Sequence, residues 1–140
     1  MKILRRILLV VTILYWMLIL TLTHLPRPPH FGPQIGDRLQ HFLGFGVLTS
    51  LLYMSFWASW PTKRWTAMYT VLIVLSYGAL DEWTQPFFGR SLELTHRVGD
   101  WLADMAGAGV AMGVLVGVRW MIRRGIMRQR SMRTQVAARD

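Results

Sequence analysis

Four long apolar runs leave few folds open to this chain: residues 7–23, 39–60, 65–88 and 100–121. Each run is close to the roughly 20 residues that a helix needs to cross a hydrocarbon core of about 30 Å. Because backbone groups in lipid must form hydrogen bonds within their own segment, each run is expected to be a helix. The sequence therefore predicts an all-α membrane protein, a bundle of four transmembrane helices.

The composition excludes several classes of protein. Hydrophobic residues make up 53% of the chain and charged residues 16%, whereas soluble domains carry about 25% charged residues. A soluble single-domain enzyme is therefore not expected. The absence of cysteine excludes disulfides, thiolate metal sites and thiol catalysis. We predict one transmembrane domain, residues 1–122, followed by a basic tail, residues 123–140.

The distribution of Lys and Arg predicts the orientation in the membrane. With the N-terminus inside, 12 of the 16 basic residues lie on the inner side, and the outer side carries Arg27, Arg38, Arg90 and Arg97. The positive-inside rule then places both termini in the cytoplasm. The first run has no small-x-small cleavage pattern, which favours a retained span over a signal peptide. Because the basic excess follows a span, nucleic acid is not an expected partner.

Polar residues gather at the ends of three runs that this topology puts in one leaflet. They are Asp37, Arg38 and His41 before and in the second run, Asp81, Glu82 and Gln85 in the third, Asp100 and Asp104 in the fourth, and Arg90 and Arg97 in the loop between. Each run contributes a pair four residues apart, which shares one helix face. A carboxylate at membrane depth costs about 2.5–3.5 kcal/mol on insertion scales. Glu82 and Asp104 are therefore expected to form ion pairs around a water-filled cavity inside the bundle.

These residues receive different predicted roles. The predicted ligand-binding residues are Arg38, His41, Glu82, Gln85, Arg90, Arg97 and Asp104. The predicted structural or helix-capping residues are Asp37, Asp81 and Asp100, because two of them open a predicted helix. Gly107 and the ridge Gly109, Gly113 and Gly117 are predicted to let another helix approach closely. The three other histidines, His24, His30 and His96, are interpreted as loop residues. The alternative for the whole cluster is structural, with the acids and arginines only locking the helices together.

Three motifs occur in order along residues 37–113. They are Asp37-Arg38-x-x-His41, the stretch Tyr77-Gly78-Ala79-Leu80-Asp81-Glu82-Trp83-Thr84-Gln85, and Gly89-Arg90 followed by Asp100-x-x-x-Asp104 and Gly107. In this combination the sequence resembles the VanZ-like family of small bacterial membrane proteins. It departs from the family pattern where Arg38 replaces the usual Lys and Asp104 the commoner Asn. The spacing from Arg90 to Asp100 is longer than in the pattern, so either Arg90 or Arg97 could fill the family's arginine position.

The resemblance implies a multi-pass protein of the bacterial inner (cytoplasmic) membrane that works at the cell envelope. The family is named for a glycopeptide-resistance protein, which implies a link to glycopeptide tolerance. No cofactor is expected, membrane lipids are the expected partners, and a homo-oligomer stays open because four helices enclose little volume.

Three functions remain open from the residues. The first is binding or moving an anionic lipid head group or envelope precursor, since arginine binds phosphate through paired hydrogen bonds. The second is a metal-dependent phosphotransferase or hydrolase on a lipid, for which the acids and His41 could hold Mg²⁺ or Zn²⁺. The chain has neither His-Glu-x-x-His nor Gly-x-Ser-x-Gly, which counts against common enzyme templates. The third is a membrane scaffold without chemistry.

Overall fold

The structure is a computed structural model that describes residues 2–25, 36–60, 65–89 and 94–137, with side chains through Arg128 and at Gln135. Its regular elements are helical: α1 (Lys2–His24), α2 (Asp37–Ser59), α3 (Thr66–Thr84), a short 3₁₀ helix (Gln85–Phe88) and α4 (Leu94–Ala137). The all-helical expectation is confirmed for these residues.

The four α-helices alternate in direction. Thr12 of α1 contacts Ser55 of α2, whereas Tyr15 bonds to Gly44, so α1 and α2 are antiparallel. His41 of α2 contacts Asp104 of α4. Tyr53, further along α2, contacts Arg119, further along α4. These two helices are therefore parallel, and α3 ends where they approach each other. A small core of Ile19, Phe45, Leu48, Leu52, Val74 and Ala108 lies between the helices.

Apolar side chains also cover much of the outer surface, as expected of a protein embedded in lipid. Leu14 is 64% exposed, and Val114 is 59% exposed. Three helical segments, α1, α2 and residues 94–128 of α4, are long and apolar enough to cross a membrane. We conclude that this is a membrane protein. Helix α3 is not among the three, because Asp81 and Glu82 in its last turns lower its mean hydropathy.

The ends of the last two predicted spans differ from the observed helices. The third run, predicted to extend through residue 88, leaves α-helical geometry at Thr84. Pro86 has no backbone N–H to continue the helix, and it restricts the residue before it. Helix α4 begins at Leu94 instead of residue 100 and continues through much of the predicted tail to Ala137. No proline interrupts residues 94–137, and the tail is rich in Arg and Met, which favour helix.

Two predicted helix caps are corrected by these boundaries. Gly36, and not Asp37, is the N-cap residue of α2, so the N-cap position has no side chain to form a capping bond. Asp100 lies inside α4 and is buried, so it does not open that helix.

The close approach between helices occurs at Gly107. A Cβ at Gly107 would overlap the carbonyl oxygen of Phe42 and lie 2.8 Å from its carbonyl carbon, and a Cβ at Gly46 would lie 3.4 Å from the Gly107 oxygen. By contrast, a Cβ at Gly109, Gly113 or Gly117 would meet nothing within 4 Å. Within the described chain the close contact therefore lies at Gly107, and packing of the Gly109, Gly113 and Gly117 ridge, within or between chains, stays a prediction.

Candidate functional site

Six polar residues from three α-helices and the 3₁₀ helix form a buried cluster at one end of the bundle. We call this the polar cluster: His41 of α2, Asp81 and Glu82 of α3, Gln85 of the 3₁₀ helix, and Asp100 and Asp104 of α4. The end of α3 and the starts of α2 and the apolar part of α4 meet here. The glycine contact between Gly107 and Phe42 lies beside it and holds α2 close enough to α4 for His41 to reach Asp104. The structure thus brings together residues that the sequence places at the ends of separate runs.

His41 links two carboxylates from different helices. Its Nδ1 lies 2.9 Å from Asp104 Oδ1, within hydrogen-bond distance, and 3.7 Å from Glu82 Oε1. All three side chains are at least nine-tenths buried, with residue exposures of 6% for His41, 5% for Glu82 and 2% for Asp104. The His41 ring also stacks on Phe45, which in turn stacks on Tyr77. The imidazole is therefore fixed in position from two sides.

Asp81 belongs to a second hydrogen-bond network, which joins α1, α3 and the 3₁₀ helix. Thr23 Oγ1 donates to Asp81 Oδ1 at 2.9 Å, and Gln85 Nε2 donates to Asp81 Oδ2 at 2.9 Å. The same Gln85 amide lies 3.3 Å from Glu82 Oε1. His24 Nδ1 lies 3.7 Å from Asp81 Oδ1. Both oxygens of Asp81 are thus occupied by protein, as a structural residue requires, and Gln85 bridges the two networks.

Sequence reasoning missed the contribution of α1 to this network. His24 was interpreted as a loop residue, but it ends α1, and its Nε2 lies 2.9 Å from Thr84 Oγ1. Thr23 beside it contacts Asp81. The available signal was position, since Thr23 and His24 are the polar residues that close the first apolar run at the same predicted end of the bundle.

Two of the predicted site arginines, Arg38 and Arg97, are described, and both lie beside the cluster instead of within it. Arg97 Nε donates to the Glu82 carbonyl oxygen at 2.8 Å, and its guanidinium lies 5.8 Å from the Trp83 ring centroid. That carbonyl is the one that Pro86 cannot bond in a continuing helix, so Arg97 caps the end of α3. Arg38 is exposed and packs against Gly99, where a Cβ would lie 3.0 Å from its Nε. Arg90 lies outside the described residues.

Replacement of Arg97 tests this capping contact. Arg97→Ala is expected to lower the unfolding free energy by roughly 1.5 kcal/mol, the lower end for a hydrogen bond from a charged group, because the side chain is only half-buried. Unfolding can be followed by tryptophan fluorescence in mixed detergent micelles. Arg123→Ala is the matched control, since Arg123 is exposed on α4 and is expected to stay within about 0.5 kcal/mol of wild type. Equal losses in both variants would contradict the capping role.

Some buried polar atoms near the cluster have no hydrogen-bond partner in the described part of the chain. They are Tyr77 OH, Glu82 Oε2, Trp101 Nε1 and Asp104 Oδ2. A Cβ at Gly78 would lie 3.4 Å from Asp104 Oδ2 and 3.5 Å from Trp101 Cδ1, which places those two side chains at the same point of the interior. Each unsatisfied buried group costs about 1–3 kcal/mol. These buried donors and acceptors are therefore available to bind a ligand.

An apolar groove begins next to the cluster and continues along the α2–α4 interface. Its volume is about 310 Å³, and it extends from Phe42 to Met54 on α2, with Gly107, Val110 and Ala111 on α4. Phe42 directly follows His41, so the groove and the polar cluster are adjacent.

No protein-family model, curated protein or solved structure matches the chain.

Proposed function

We propose that the chain is a four-span, VanZ-like protein of the bacterial inner membrane, with both termini in the cytoplasm. Helix α3 has 19 residues, which at about 1.5 Å per residue is close to the thickness of a hydrocarbon core. The alternating helix directions put the start of α1 and the basic far half of α4 at the same end of the bundle. The positive-inside rule favours that end as cytoplasmic, and the polar cluster then faces the outer leaflet.

In this setting the protein binds an anionic lipid head group or a lipid-linked envelope precursor. The observation that carries the proposal is that the exposed Arg38 lies one helical turn before Phe42, the residue at which the apolar groove begins. Arg38 and Phe42 are four residues apart and share one face of α2, and the groove begins at Phe42. A phosphate at the exposed Arg38 guanidinium would be bound by paired, charge-assisted hydrogen bonds. An acyl or polyprenyl chain could then follow the groove without leaving apolar surroundings.

Lipid retention tests this proposal. Wild-type protein in discs of phosphatidylcholine and phosphatidylglycerol is expected to retain phosphatidylglycerol selectively after partial delipidation, as measured by mass spectrometry of extracted lipids. Arg38→Ala is expected to reduce that enrichment at least about tenfold, which corresponds to roughly 1.4 kcal/mol, within the range for a charged hydrogen bond. Arg38→Lys keeps the charge but not the paired donors, so an intermediate value is expected.

The control removes the same charge at the other end of the bundle. Arg123→Ala is expected to retain phosphatidylglycerol as wild type does. If Arg38→Ala and Arg123→Ala lose the lipid equally, binding is a general effect of positive charge and the proposed site is wrong. If wild type shows no selectivity for phosphatidylglycerol, head-group binding is excluded for this lipid class. The result would then favour the function as a membrane scaffold.

Three further predictions from the sequence stay open beside this proposal. The metal-dependent enzyme is favoured only by the arrangement of His41 with the two carboxylates of Glu82 and Asp104. A homo-oligomer also remains a prediction. The ridge of Gly109, Gly113 and Gly117 could form its interface, since a Cβ added at these glycines would meet no atom of the described chain within 4 Å. The link to glycopeptide tolerance rests on the family resemblance alone.

A further inference from the structure

We propose that His41, Glu82 and Asp104 bind a divalent transition-metal ion inside the bundle. The inference does not rest on lipid binding, because it uses only the buried side of the polar cluster. One ligand comes from each of α2, α3 and α4. Potential ligand atoms of the three residues all lie within 4.8 Å of one another.

The distances already approach those of a coordination shell. His41 Nδ1 lies 2.9 Å from Asp104 Oδ1 and 3.7 Å from Glu82 Oε1. Two ligands that each lie about 2.0–2.2 Å from an ion in tetrahedral geometry are separated by roughly 3.4 Å. Small side-chain rotations would therefore suffice to bring the three atoms around one ion. The bound ion would take the place of the hydrogen bond between His41 Nδ1 and Asp104 Oδ1.

The second oxygens of both carboxylates provide an independent observation. Glu82 Oε2 and Asp104 Oδ2 are buried and have no hydrogen-bond partner among the residues that the structure describes. The neighbouring Asp81 differs, because Thr23 and Gln85 occupy both of its oxygens. Fold stability alone requires carboxylates that are satisfied, as at Asp81. The two that are not satisfied are those that share His41.

The charge of the site matches a doubly positive ion. In the described part of the chain, the ion pairs of Glu82 and Asp104 are with His41, and none is with arginine or lysine. Two carboxylates around one imidazole leave a net negative charge in a buried site, which is costly. A divalent cation with a neutral imidazole would balance both carboxylates. The nitrogen ligand favours Zn²⁺, Mn²⁺ or Fe²⁺ over Ca²⁺ and Mg²⁺, which prefer oxygen ligands.

A second arrangement of the same histidine is less suited to hold the ion. Potential ligand atoms of Asp37, His41 and Asp100 also lie within 4.8 Å of one another. Asp37 is exposed there, however, and is accessible to water. The two arrangements make different predictions, because they share only His41.

Metal stoichiometry in lipid discs tests the site. Wild-type protein is stripped with EDTA, reloaded with Zn²⁺ or Mn²⁺ in the presence of excess Mg²⁺, and analysed by elemental mass spectrometry. We expect about one transition-metal ion per chain. Glu82→Gln and Asp104→Asn are expected to weaken binding by more than about tenfold, since even outer-shell partners of a metal site are worth about 10–100-fold. Both replacements keep the shape of the side chain and remove a buried charge.

The control variants are Asp81→Asn and Asp37→Asn. Asp81 is a buried carboxylate next to Glu82 but has no role in the proposed coordination, and Asp37 belongs to the alternative arrangement. Both variants are expected to keep the ion. Circular dichroism of each variant establishes that it is folded, and Co²⁺ loading adds a visible absorption band that reports coordination directly. The proposal is overturned if wild type binds no more ion than Asp104→Asn, or if Asp37→Asn loses the ion while Glu82→Gln keeps it. Lipid retention by Arg38 is measured separately, so either proposal can fail alone.

Discussion

His41→Leu is expected to destabilise the metal-free protein by about 3–5 kcal/mol, the range for breaking a buried ion pair by removing one partner. Leucine resembles histidine in size but cannot donate to Asp104 or balance its charge. Asp104, at 2% exposure, would then keep two buried oxygens without a described partner, and Glu82 would lose its nearest described cation. Reversible unfolding in mixed micelles with EDTA, followed by tryptophan fluorescence, measures this loss.

A double-mutant cycle separates the free energy of the His41–Asp104 interaction from the effect of changing the volume of the two side chains. His41→Leu with Asp104→Leu removes both partners, and replacement of both by apolar groups is much less costly than removal of one. The double variant is therefore expected to be about 1–3 kcal/mol more stable than the sum of the two single losses predicts. Additive losses, or a loss of less than about 1 kcal/mol for His41→Leu, would show that the cluster does not hold the helices as described.

Gly107→Ala is expected to give the second large effect. The added Cβ would overlap the Phe42 carbonyl and lie 3.0 Å from the Phe42 Cα, so backbone and not a flexible side chain obstructs it. Helices α2 and α4 must separate, and overpacking of this kind costs about 1–3 kcal/mol or more. Because Asp104 lies on the same helix one turn earlier, its contact with His41 is expected to loosen as well.

Gly109→Ala is the matched control for this prediction. It makes the same chemical change two residues away on the same helix, where the added Cβ meets nothing within 4 Å. Alanine is the better helix former by about 0.8–1 kcal/mol, so this variant is expected to be neutral or slightly more stable. Comparable destabilisation at both glycines, measured by unfolding in the same micelles, would contradict the packing of α2 against α4.

The sequence predicted the convergence of polar residues but not the way in which they are held. Apolar runs that alternate in direction bring the end of the third and the starts of the second and fourth together, and this was enough to group His41, Glu82 and Asp104. The sequence could not distinguish Gly107 from the ridge of Gly109, Gly113 and Gly117, because spacing shows which glycines share a face and not which face meets a partner. The structure puts the close contact at Gly107 and leaves Gly109 open.

The boundaries and caps were less predictable for different physical reasons. Helix α4 extends back to Leu94, and no proline lies in residues 94–100 to prevent it, whereas the polarity of that segment alone predicts a loop. The role of Arg97 follows from Pro86, whose missing N–H frees the Glu82 carbonyl. The sequence shows that this carbonyl lacks its helical donor, but only the folded chain shows that Arg97 donates to it instead. The contacts of Thr23 with Asp81 and of His24 with Thr84 join α1 to α3 over long sequence separations, which local patterns do not encode.

Native mass spectrometry of the protein released from membrane discs tests the central claim most directly, because it weighs bound lipid and bound metal in one spectrum. The claim is that the polar end of this bundle is a ligand site and not only a lock between helices. We expect wild type to carry one divalent ion and an anionic lipid, Glu82→Gln to lose the ion, and Arg38→Ala to lose the lipid. The claim would be contradicted if wild type shows only the mass of the unliganded chain, with no added mass of ion or lipid that is lost in either variant. The cluster would then have only a structural role.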